Sequence, residues 1–427
     1  MTRSEPVPGG ADLEVVVERL AVGGDGMARE PEGRVVFVAG ALPGERVRVR
    51  VTQRARDYWR AEVSEVLEAV PERVEPPCAE VSRGCGGCGW MHVDPAAQLE
   101  LKVGMVRDAL IRQGRLTDVG VVAAGTVAPL GYRTTARFAA GPSGRLGLRR
   151  SASNDVVEVD GCLVVHPALG EMIATVRIPP GSELTVRVSR HTGARTALLT
   201  AGGHPPGSRS RPRVATPRSA GPAQHSAIQG LPPDVRVGPD SSLVERVGGV
   251  DLRVSAASFF QSSPESAALL VGAVGRALVA SGTAVRRWAD LYGGVGLFAA
   301  ALLPGSEVIV VEQSHSACAD ARHNLLNRNA TVIESAVEEW VPAPHQLPLD
   351  AVVADPSRRG LGREGAEVVA RTGAPTVVLV SCDAAALGRD AALLIERGYE
   401  HRGSEVLDLF PGTPHVEVVT RFGRSGP

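Results

Sequence analysis

The second half of the chain is constrained most strongly by its alternation of apolar strands with helical stretches. From residue 246 onward, amphipathic stretches separate four apolar runs, at residues 287–291, 308–312, 351–355 and 376–381. Strands that alternate with helices in this way predict a doubly wound α/β domain with a mainly parallel sheet. Because ligands bind at the carboxyl ends of such strands, the residues that end these runs are the first candidates for a functional site.

The first of these strands leads into a glycine turn. The segment from Asp290 to Gly296 reads Asp-Leu-Tyr-Gly-Gly-Val-Gly, and the following strand ends at Glu312. Glycines allow the backbone to approach a ligand closely, and an acidic residue at the end of the second strand can accept both hydroxyls of a ribose. The turn departs from the dinucleotide pattern G-x-G-x-x-G and has the form that is used for S-adenosylmethionine.

The later strands end in residues that can carry out chemistry. Asp355 ends the third strand and places a carboxylate at the ligand-binding edge, and Cys382 follows the fourth strand. A cysteine in this position is a candidate nucleophile, although a lone cysteine is also compatible with an inert core residue. Glu417 precedes the final apolar strand and is a candidate base that would lie near Cys382 if the last strands pair.

Three of the six cysteines form the strongest local signal. The segment from Cys78 to Cys88 has the pattern C-x6-C-x2-C with glycines between the cysteines, so that Cys78, Cys85 and Cys88 can surround one metal centre. The fourth ligand must be remote, and Cys162 is favoured because Cys318 lies in helical sequence. Four thiolates at this spacing suit zinc and an iron–sulfur cluster equally well.

The N-terminal part of the chain predicts a small antiparallel barrel. Residues 13–68 contain short apolar runs with period-two alternation, separated by glycine-rich turns. Arginines cluster beside Tyr58 and Trp59, a combination that suits a phosphate backbone with exposed bases. A solvated strand face explains the same arginines equally well. They are Arg46, Arg48, Arg50, Arg54, Arg56 and Arg60.

Composition and periodicity also predict the boundaries between segments. A helix begins after Asp94, and residues 202–226 are rich in Pro, Gly, Ser and Arg, which predicts a mobile insertion. A solvated linker is favoured there over an arm that follows RNA. The predicted segments are a polar tail at 1–10, a barrel at 11–70, a middle domain at 71–92 and 121–245, a helix at 93–120 packed on the catalytic domain, and the catalytic domain at 246–427.

The composition excludes several classes of protein. Hydrophobic residues make up 44% of the chain and charged residues 22%, which excludes wholesale disorder. No apolar run is long enough for a membrane helix and the N-terminus lacks a signal-peptide core, so we expect a cytoplasmic protein. The net charge of -1 requires any nucleic-acid contact to come from a local patch. The absence of a long heptad pattern predicts a monomer.

Taken in order, these segments resemble the uracil-C5 RNA methyltransferases, the family that makes 5-methyluridine in ribosomal or transfer RNA. The segment from Gly23 to Gly44 and the arginines after it resemble the TRAM barrel of this family. The four cysteines match the 4Fe-4S ligands of its ribosomal-RNA branch. The remaining matches are the F-x-Q motif at Phe259-Phe260-Gln261 and the later motifs Asp355-Pro356, Val380-Ser381-Cys382 and Pro414-His415-Val416-Glu417.

The resemblance implies both a fold and a set of roles. The implied fold is an OB-like TRAM β-barrel, a small α+β middle domain with an iron–sulfur loop, and a Rossmann-like class I methyltransferase domain. The implied cofactors are S-adenosylmethionine and a 4Fe-4S cluster, with zinc less favoured, and the implied substrate is 23S ribosomal RNA. The implied site residues are Gln261, Tyr292, Glu312 and Asp355 for the methyl donor, Cys382 as nucleophile, Glu417 as base, and Cys78, Cys85, Cys88 and Cys162 for the cluster.

Two positions depart from the family pattern. Leu297 stands where many members have an asparagine, which removes one polar contact to the methyl donor. Asp383 and Ala384 follow Cys382 where members commonly have Asn-Pro, and the charge of Asp383 is expected to raise the pKa of the thiol unless it is turned away or paired. The alternatives are therefore a transfer-RNA enzyme, or a non-catalytic RNA-binding or assembly protein that retains the fold.

Overall fold

The computed structural model describes residues 5–6, 12–151, 153–202, 226–282 and 284–424. Almost all of the predicted insertion at 202–226 therefore lies outside the described residues, as does most of the predicted tail at 1–10. Buried apolar side chains form one core in the N-terminal barrel, one in the middle domain, and one on each face of the large C-terminal sheet.

The N-terminal barrel consists of seven short strands. These are Glu5–Pro6 (β1), Asp12–Val16 (β2), Arg19–Leu20 (β3), Gly26–Arg29 (β4), Val35–Ala39 (β5), Arg46–Arg54 (β6) and Tyr58–Glu68 (β7). The strands follow the order β1-β6-β7-β5-β4-β3, β2 pairs with β6, and only the β5–β7 pair is parallel. In β6 the valines are buried while the arginines between them face outward, as period-two alternation requires.

Two helices and one strand connect the barrel to the rest of the chain. They are Ala79–Ser82 (α1), Pro95–Arg112 (α2) and Val121–Thr126 (β8). The Asp94 side chain caps α2 by accepting a hydrogen bond from the Ala96 amide at 2.9 Å, and Pro95 occupies the first turn. No helix of the described chain is long and apolar enough to span a membrane.

In the residues that the structure describes, the middle domain contains a six-stranded sheet and the helix α3 packed on it. Its elements are Thr135–Ala140 (β9), Leu146–Arg149 (β10), Val156–Glu158 (β11), Pro167–Thr175 (α3), Ser182–Val188 (β12), Arg195–Ala201 (β13) and Val235–Val237 (β14). The strand order is β11-β10-β9-β12-β13-β14. Leu169, Met172 and Ile173 of α3 are buried in this core.

The C-terminal domain begins with a hairpin and continues as alternating strands and helices. Its strands are Ser242–Val247 (β15), Val250–Ser255 (β16), Arg287–Leu291 (β17), Glu307–Glu312 (β18), Ala330–Glu334 (β19), Ala351–Ala354 (β20), Thr376–Ser381 (β21), Glu400–Asp408 (β22) and Glu417–Gly423 (β23). Its α-helices are Pro264–Val279 (α4), Leu297–Ala301 (α5), His315–Asn324 (α6), Gly362–Arg371 (α7) and Ala384–Ile395 (α8), and two short 3-10 helices cover Val337–Glu339 and Pro344–Gln346.

The large sheet of this domain determines where a ligand can bind. Its strands follow the order β19-β18-β17-β20-β21-β23-β22-β8, and β17 to β21 are parallel. Strand β23 runs antiparallel to β21, so the start of β23 lies at the same edge as the carboxyl end of β21. The ends of the parallel strands and the beginning of β23 therefore share one crevice.

The structure differs from the sequence-based boundaries at three places. Residues 121–126, assigned by sequence to the middle domain, form β8 at the edge of the C-terminal sheet. The hairpin from 242 to 255 packs on α4 and α6, so the C-terminal domain begins before residue 246. Glu5–Pro6, in the predicted tail, pair with β6. Alternating hydrophobicity identifies a strand without indicating which sheet the strand joins, which explains the first two differences.

Candidate active site

The glycine turn after β17 brings the backbone close to its surroundings. A Cβ atom on Gly293 would lie 2.6 Å from Cγ1 of Val310, and Gly296 has a φ of 81°. The amide of Gly294 donates to Oε2 of Glu312 at 3.1 Å, and the amide of Ser314 donates to Oε1 at 2.7 Å. The carboxylate of Glu312 is therefore held beside the turn at the end of β18.

The carboxyl group of Asp290 is buried below this turn. Its Oδ2 atom accepts a hydrogen bond from the Ala299 amide at 3.2 Å, whereas the buried Oδ1 atom has no hydrogen-bond partner in the described part of the chain. Burial raises the pKa of Asp290 to about 8. The carboxyl group of Asp290 is therefore mostly protonated at neutral pH and is enclosed beneath the turn.

Tyr292 begins the turn in an unusual backbone conformation. Its φ of 59° lies in the left-handed region, which a non-glycine residue adopts at a cost and which concentrates at functional sites. The half-buried side chain donates a hydrogen bond from its hydroxyl to Oε1 of Glu338 at 2.8 Å. The acidic partner follows β19, so the ring of Tyr292 is fixed at the ligand-binding edge of the sheet.

The carboxyl ends of β20 and β21 and the start of β23 bring Asp355, Cys382 and Glu417 together. The Asp355 amide donates to the carbonyl oxygen of Leu291 at 3.1 Å, which ties Asp355 to the end of β17. Ser381 pairs with Val418 across β21 and β23. One step further along these antiparallel strands, Cys382 and Glu417 are neighbours.

Burial and like charge dominate the electrostatics of this group. Burial raises the pKa of Asp355 to about 7, and burial together with the charge of Asp355 raises the pKa of Glu417 well above its ordinary value. Burial, with smaller contributions from both carboxyl groups, raises the pKa of the Cys382 thiol to about 12. The guanidinium of Arg358 opposes these shifts in the pKa of Glu417 and of Cys382.

Asp383 has a different role from the one expected from sequence. Its Oδ1 atom accepts a hydrogen bond from the Ala386 amide at 2.7 Å and caps the N-terminus of α8. After burial, the largest contributions that raise the pKa of Cys382 come from the charges of Glu417 and Asp355, both distant in sequence. The carboxylate of Asp383 is therefore turned towards its own helix and paired with a backbone amide.

Leu297 and Gln261 also occupy defined places. Leu297 begins α5 and is buried in the apolar core, so a polar side chain at this position would lose that packing. Gln261 is buried next to Ser262, whose carbonyl oxygen accepts from the Thr134 amide at 2.8 Å. The ring of Phe259 is 73% exposed on the same segment. An exposed aromatic ring can stack on a nucleobase.

The four predicted metal-ligating cysteines line one cavity between the Cys-rich loop and the middle domain. Its walls are mostly apolar, and Arg133 also lies on them. Burial raises the pKa of the Cys85 and Cys162 thiols, and raises that of Cys88 to about 12. Among the described residues, no group of three or more His, Cys, Asp or Glu side chains is arranged to hold a metal ion.

The arginines of the barrel divide into two groups. Across the strands, Arg46 pairs with Glu68 at 2.7 Å, Arg48 with Glu14 at 2.8 Å and Arg50 with Glu62 at 3.7 Å. These side chains form a solvated strand face, which is one of the two interpretations that the sequence allows for the barrel arginines. A second group lies beside aromatic rings: Arg34 and Arg54 lie over Trp59, and Arg60, which also pairs with Asp25 at 3.2 Å, lies near Phe37 and Tyr58. We call this second group the aromatic patch.

Sequence reasoning missed three residues near the crevice. Arg358 follows the Asp-Pro step and acts electrostatically on Cys382 and Glu417. Glu338 accepts from Tyr292, and Lys102 forms a buried ion pair with Asp408. Only Lys102 gave a signal in the sequence, because it is the single lysine of the chain.

The fold and the crevice define a class I methyltransferase domain, with a glycine turn after the first strand, an acidic residue ending the second, and an antiparallel last strand. Residues 9–64 match the TRAM domain family. An uncharacterized RNA methyltransferase of Streptomyces coelicolor is 35% identical over 97% of this chain and 94% of its own length. A 23S rRNA (uracil(1939)-C(5))-methyltransferase of Chromohalobacter salexigens is 31% identical over 96% of this chain and 89% of its own length.

The chain belongs to the uracil-C5 RNA methyltransferase family, and the resemblance found in the sequence is confirmed. The fold of the whole chain is also seen in the tRNA (uracil-54, C5)-methyltransferase of Pyrococcus abyssi, crystallised with S-adenosyl-L-homocysteine. That structure matches with a TM-score of 0.67 and 23% identity over 96% of this chain and 99% of the other. The predicted TRAM domain and methyltransferase domain are thereby confirmed.

Proposed function

We propose that this protein methylates C5 of uridine in RNA, with Cys382 as nucleophile and Glu417 as base. The observation that carries the proposal is the register of β21 and β23, which makes Cys382 and Glu417 neighbours at the edge of the sheet that also holds Asp355. A thiol, a buried carboxyl group and a ligand-binding glycine turn at one edge are the parts that such a reaction needs.

The residues around the glycine turn fit S-adenosylmethionine. The oriented carboxylate of Glu312 can accept hydrogen bonds from ribose hydroxyls, and the glycine turn lets a ligand approach the backbone closely. We propose that Gln261, Tyr292, Glu312 and Asp355 hold this ligand. When bound, it supplies an electrophilic methyl group to C5 of the uracil.

Cys382 would activate the uracil ring. C5 of uracil is a weak nucleophile, and addition of a thiolate to C6 gives C5 the character of an enolate carbon. Because burial raises the pKa of Cys382 to about 12, the thiol must pass its proton to solvent water as the carbon–sulfur bond forms. Arg358 lowers the pKa of Cys382 and so favours the thiolate.

Glu417 would complete the reaction by taking the proton from C5. The electrons of the C5–H bond then form the C5–C6 double bond, and the sulfur of Cys382 leaves C6 with the electrons of its bond. Glu417 must be ionised at this step. Two neighbouring buried carboxyl groups resist double ionisation, so we expect the pair formed with Asp355 to retain one proton in the free protein.

The substrate we propose is 23S ribosomal RNA, with transfer RNA as the alternative. A relative of this family at 31% identity is named as a 23S rRNA enzyme, and its match extends over nearly the whole chain. Uracil must leave its stack to reach the crevice, because its C5 and C6 atoms are not accessible to a thiol within a helix. We propose that the aromatic patch and Phe259 contact the RNA on either side of the target.

We further propose that Cys78, Cys85, Cys88 and Cys162 hold a 4Fe-4S cluster. Four thiols on the walls of one cavity are a donor set that suits such a cluster, and the match of these cysteines to the family's ribosomal-RNA branch favours it over zinc. The bond to Cys162 would tie the Cys-rich loop to the middle domain. The expected role of the cluster is therefore to support folding.

Transfer of a labelled methyl group to purified ribosomal and transfer RNA tests the proposed reaction. Wild-type protein is expected to convert uridine to 5-methyluridine in 23S RNA, and Cys382→Ala to transfer no label. Asp108→Asn is the control, because it removes an ion pair that α2 makes with Arg19 of the N-terminal barrel and should retain activity. RNA binding without transfer by the wild type would overturn the proposal and favour a non-catalytic RNA-binding protein.

A further inference from the structure

The single lysine of the chain forms a buried ion pair between α2 and the end of β22. Nζ of Lys102 lies 2.6 Å from Oδ1 of Asp408, and both side chains are almost completely buried. Lys102 also donates to the carbonyl oxygen of Phe410 at 3.3 Å, and the amide of Phe410 donates to the same Asp408 oxygen at 3.1 Å. The ion pair therefore fixes the backbone where the chain leaves β22.

A second set of contacts holds the loop that follows. Residues 409–416 connect β22 to β23, and we call them the β22–β23 loop. The amide of Gly412 donates to Oε1 of Gln98 on α2 at 2.7 Å, and the Trp90 amide donates to the carbonyl oxygen of Gly412 at 2.8 Å. The Gln98 side chain is oriented in turn by its bond to the Val93 carbonyl oxygen at 2.9 Å.

This loop leads directly to Glu417. Leu407, one residue before Asp408, pairs with Glu417 across β22 and β23, so the fixed start of the loop lies beside its end. Loops of this length usually run over the surface and move more than the strands they connect. Here the beginning and the middle of the loop are both bonded to α2, which restricts the position of the residue that follows.

A buried ion pair is weak evidence of a role in stability. Moving two charges out of water costs several kcal/mol per ion, and well-packed apolar residues of similar volume often serve folding equally well. The cost of burying this pair therefore indicates that the Lys102–Asp408 contact serves to fix the local geometry. The nearest group with such a requirement is Glu417, since a base must be within hydrogen-bond reach of the proton that it removes.

We propose that Lys102 and Gln98 are positioning residues that hold the β22–β23 loop so that Glu417 meets the C5 proton of the bound uracil. This inference rests on the proposed function. The proposal predicts an effect on one step of the reaction only. Loss of either contact should slow removal of the C5 proton and leave the addition of Cys382 and the transfer of the methyl group unaffected.

5-Fluorouridine separates these steps chemically. With fluorine at C5, Cys382 can add to C6 and C5 can take the methyl group, but no C5 proton remains for Glu417 to remove. The C–S bond is then not cleaved and a covalent RNA–protein complex accumulates. The rate of complex formation therefore reports the early steps, whereas turnover on ordinary RNA includes proton removal.

The experiment compares variants on 23S RNA transcribed with uridine or with 5-fluorouridine. Lys102→Met and Gln98→Leu are expected to lower turnover on uridine RNA roughly 10- to 100-fold, the loss that a displacement of about 1 Å can cause. Complex formation on 5-fluorouridine RNA is expected to stay within about twofold of wild type. The double variant Lys102→Met/Asp408→Asn leaves no unpaired buried charge, so it should fold stably and still show the selective loss.

Asp108→Asn is the matched control. It removes the ion pair that another α2 residue makes with Arg19 at 2.6 Å, and both rates should remain at the wild-type level. Equal losses on the two RNAs, or unchanged turnover in the folded double variant, would overturn the positioning role. Failure of the wild-type protein itself to form a complex with 5-fluorouridine RNA would instead overturn the proposed function.

Discussion

Asp355 and Glu417 are carboxyl groups from neighbouring parts of one sheet, and burial together with the charge of Asp355 raises the pKa of Glu417. Asp355 follows β20, Glu417 begins β23, and β21 with Cys382 at its end lies between them. Holding two carboxyl groups and a thiol in a poorly solvated crevice disfavours the charged form of each. The arrangement therefore reduces stability at neutral pH in return for reactive groups at one place.

Removing one of these carboxyl groups should stabilise the protein while it abolishes turnover. Burial raises the pKa of Asp355 from 3.8 to about 7, so the folded state binds this proton more tightly than the unfolded state does. The resulting stabilisation is complete below pH 3.8 and is lost as the pH rises through about 7. Asp355→Asn should therefore match wild type near pH 4 and melt a few degrees higher at pH 8.

Thermal unfolding at the two pH values measures this difference. Glu364→Gln, which alters an exposed carboxyl group in the same domain, serves as the control and should give a pH-independent difference from wild type. A wild-type protein that is more stable than Asp355→Asn at pH 8 would contradict the assignment of a strained carboxyl pair.

Asp383 should act through its hydrogen bond to the Ala386 amide and not through its charge. Asparagine caps a helix about as well as aspartate, so Asp383→Asn should unfold with nearly the wild-type free energy. Its turnover should stay within about twofold of wild type. Asp383→Ala should lose roughly 1 kcal/mol of stability. If turnover rose strongly in Asp383→Asn, the charge of Asp383 would be opposing the activation of Cys382 as the sequence suggested.

Cys382 should be poorly reactive until a positive charge enters the crevice. Its pKa of about 12 leaves it almost entirely as the thiol at pH 7, and thiols alkylate far more slowly than thiolates. A cofactor analogue with a positive charge in place of the sulfonium should accelerate alkylation of Cys382, followed by peptide mass spectrometry. S-adenosylhomocysteine, which lacks that charge, is the control, and equal acceleration by both would rule out the electrostatic explanation.

The cysteine cavity should bind iron and sulfide. Reconstituted wild-type protein is expected to contain both by elemental analysis, and Cys162→Ser to lose most of the iron. Cys318→Ser, which changes a cysteine outside the cavity, should retain it. Zinc without sulfide in protein purified under anaerobic conditions would show that the cavity holds a different metal.

The two groups of barrel arginines should differ in their effect on RNA. Arg54 lies 4.6 Å from the centroid of the Trp59 ring and belongs to the aromatic patch, so Arg54→Gln should weaken binding and reduce the salt dependence of the affinity by about one charge. Arg50→Gln removes an arginine that faces Glu62 and should change binding little. Equal effects of the two variants would contradict the assignment of the patch as the RNA-contacting surface.

Local patterns in the sequence were sufficient to predict the parts of the candidate site that lie at strand ends. The glycine turn at Gly293 and the apolar runs before Asp355 and Cys382 predict the parallel sheet, and topology then places these residues at one edge. Glu417 was expected to lie near Cys382 only if the last strands pair. Ser381 does pair with Val418.

Contacts between residues distant in sequence could not be predicted in the same way. Asp383 was read as a charge beside a thiol, because periodicity does not reveal that its side chain turns to the Ala386 amide. The Lys102–Asp408 pair joins residues 306 positions apart, and no local pattern indicates such a contact. Residues 121–126 likewise read as a strand without indicating the sheet to which they belong.

Formation of 5-methyluridine through Cys382 can be tested in the cell. The most direct measurement is nucleoside mass spectrometry, with site mapping, of ribosomal and transfer RNA from a strain that lacks the protein and from the same strain complemented with wild type or Cys382→Ala. In the strain that lacks the protein, we expect 5-methyluridine to be absent at one mapped position of 23S RNA. It should return with the wild-type protein and should not return with Cys382→Ala. Unchanged 5-methyluridine at every position, with the protein expressed in the parent strain, would contradict this expectation.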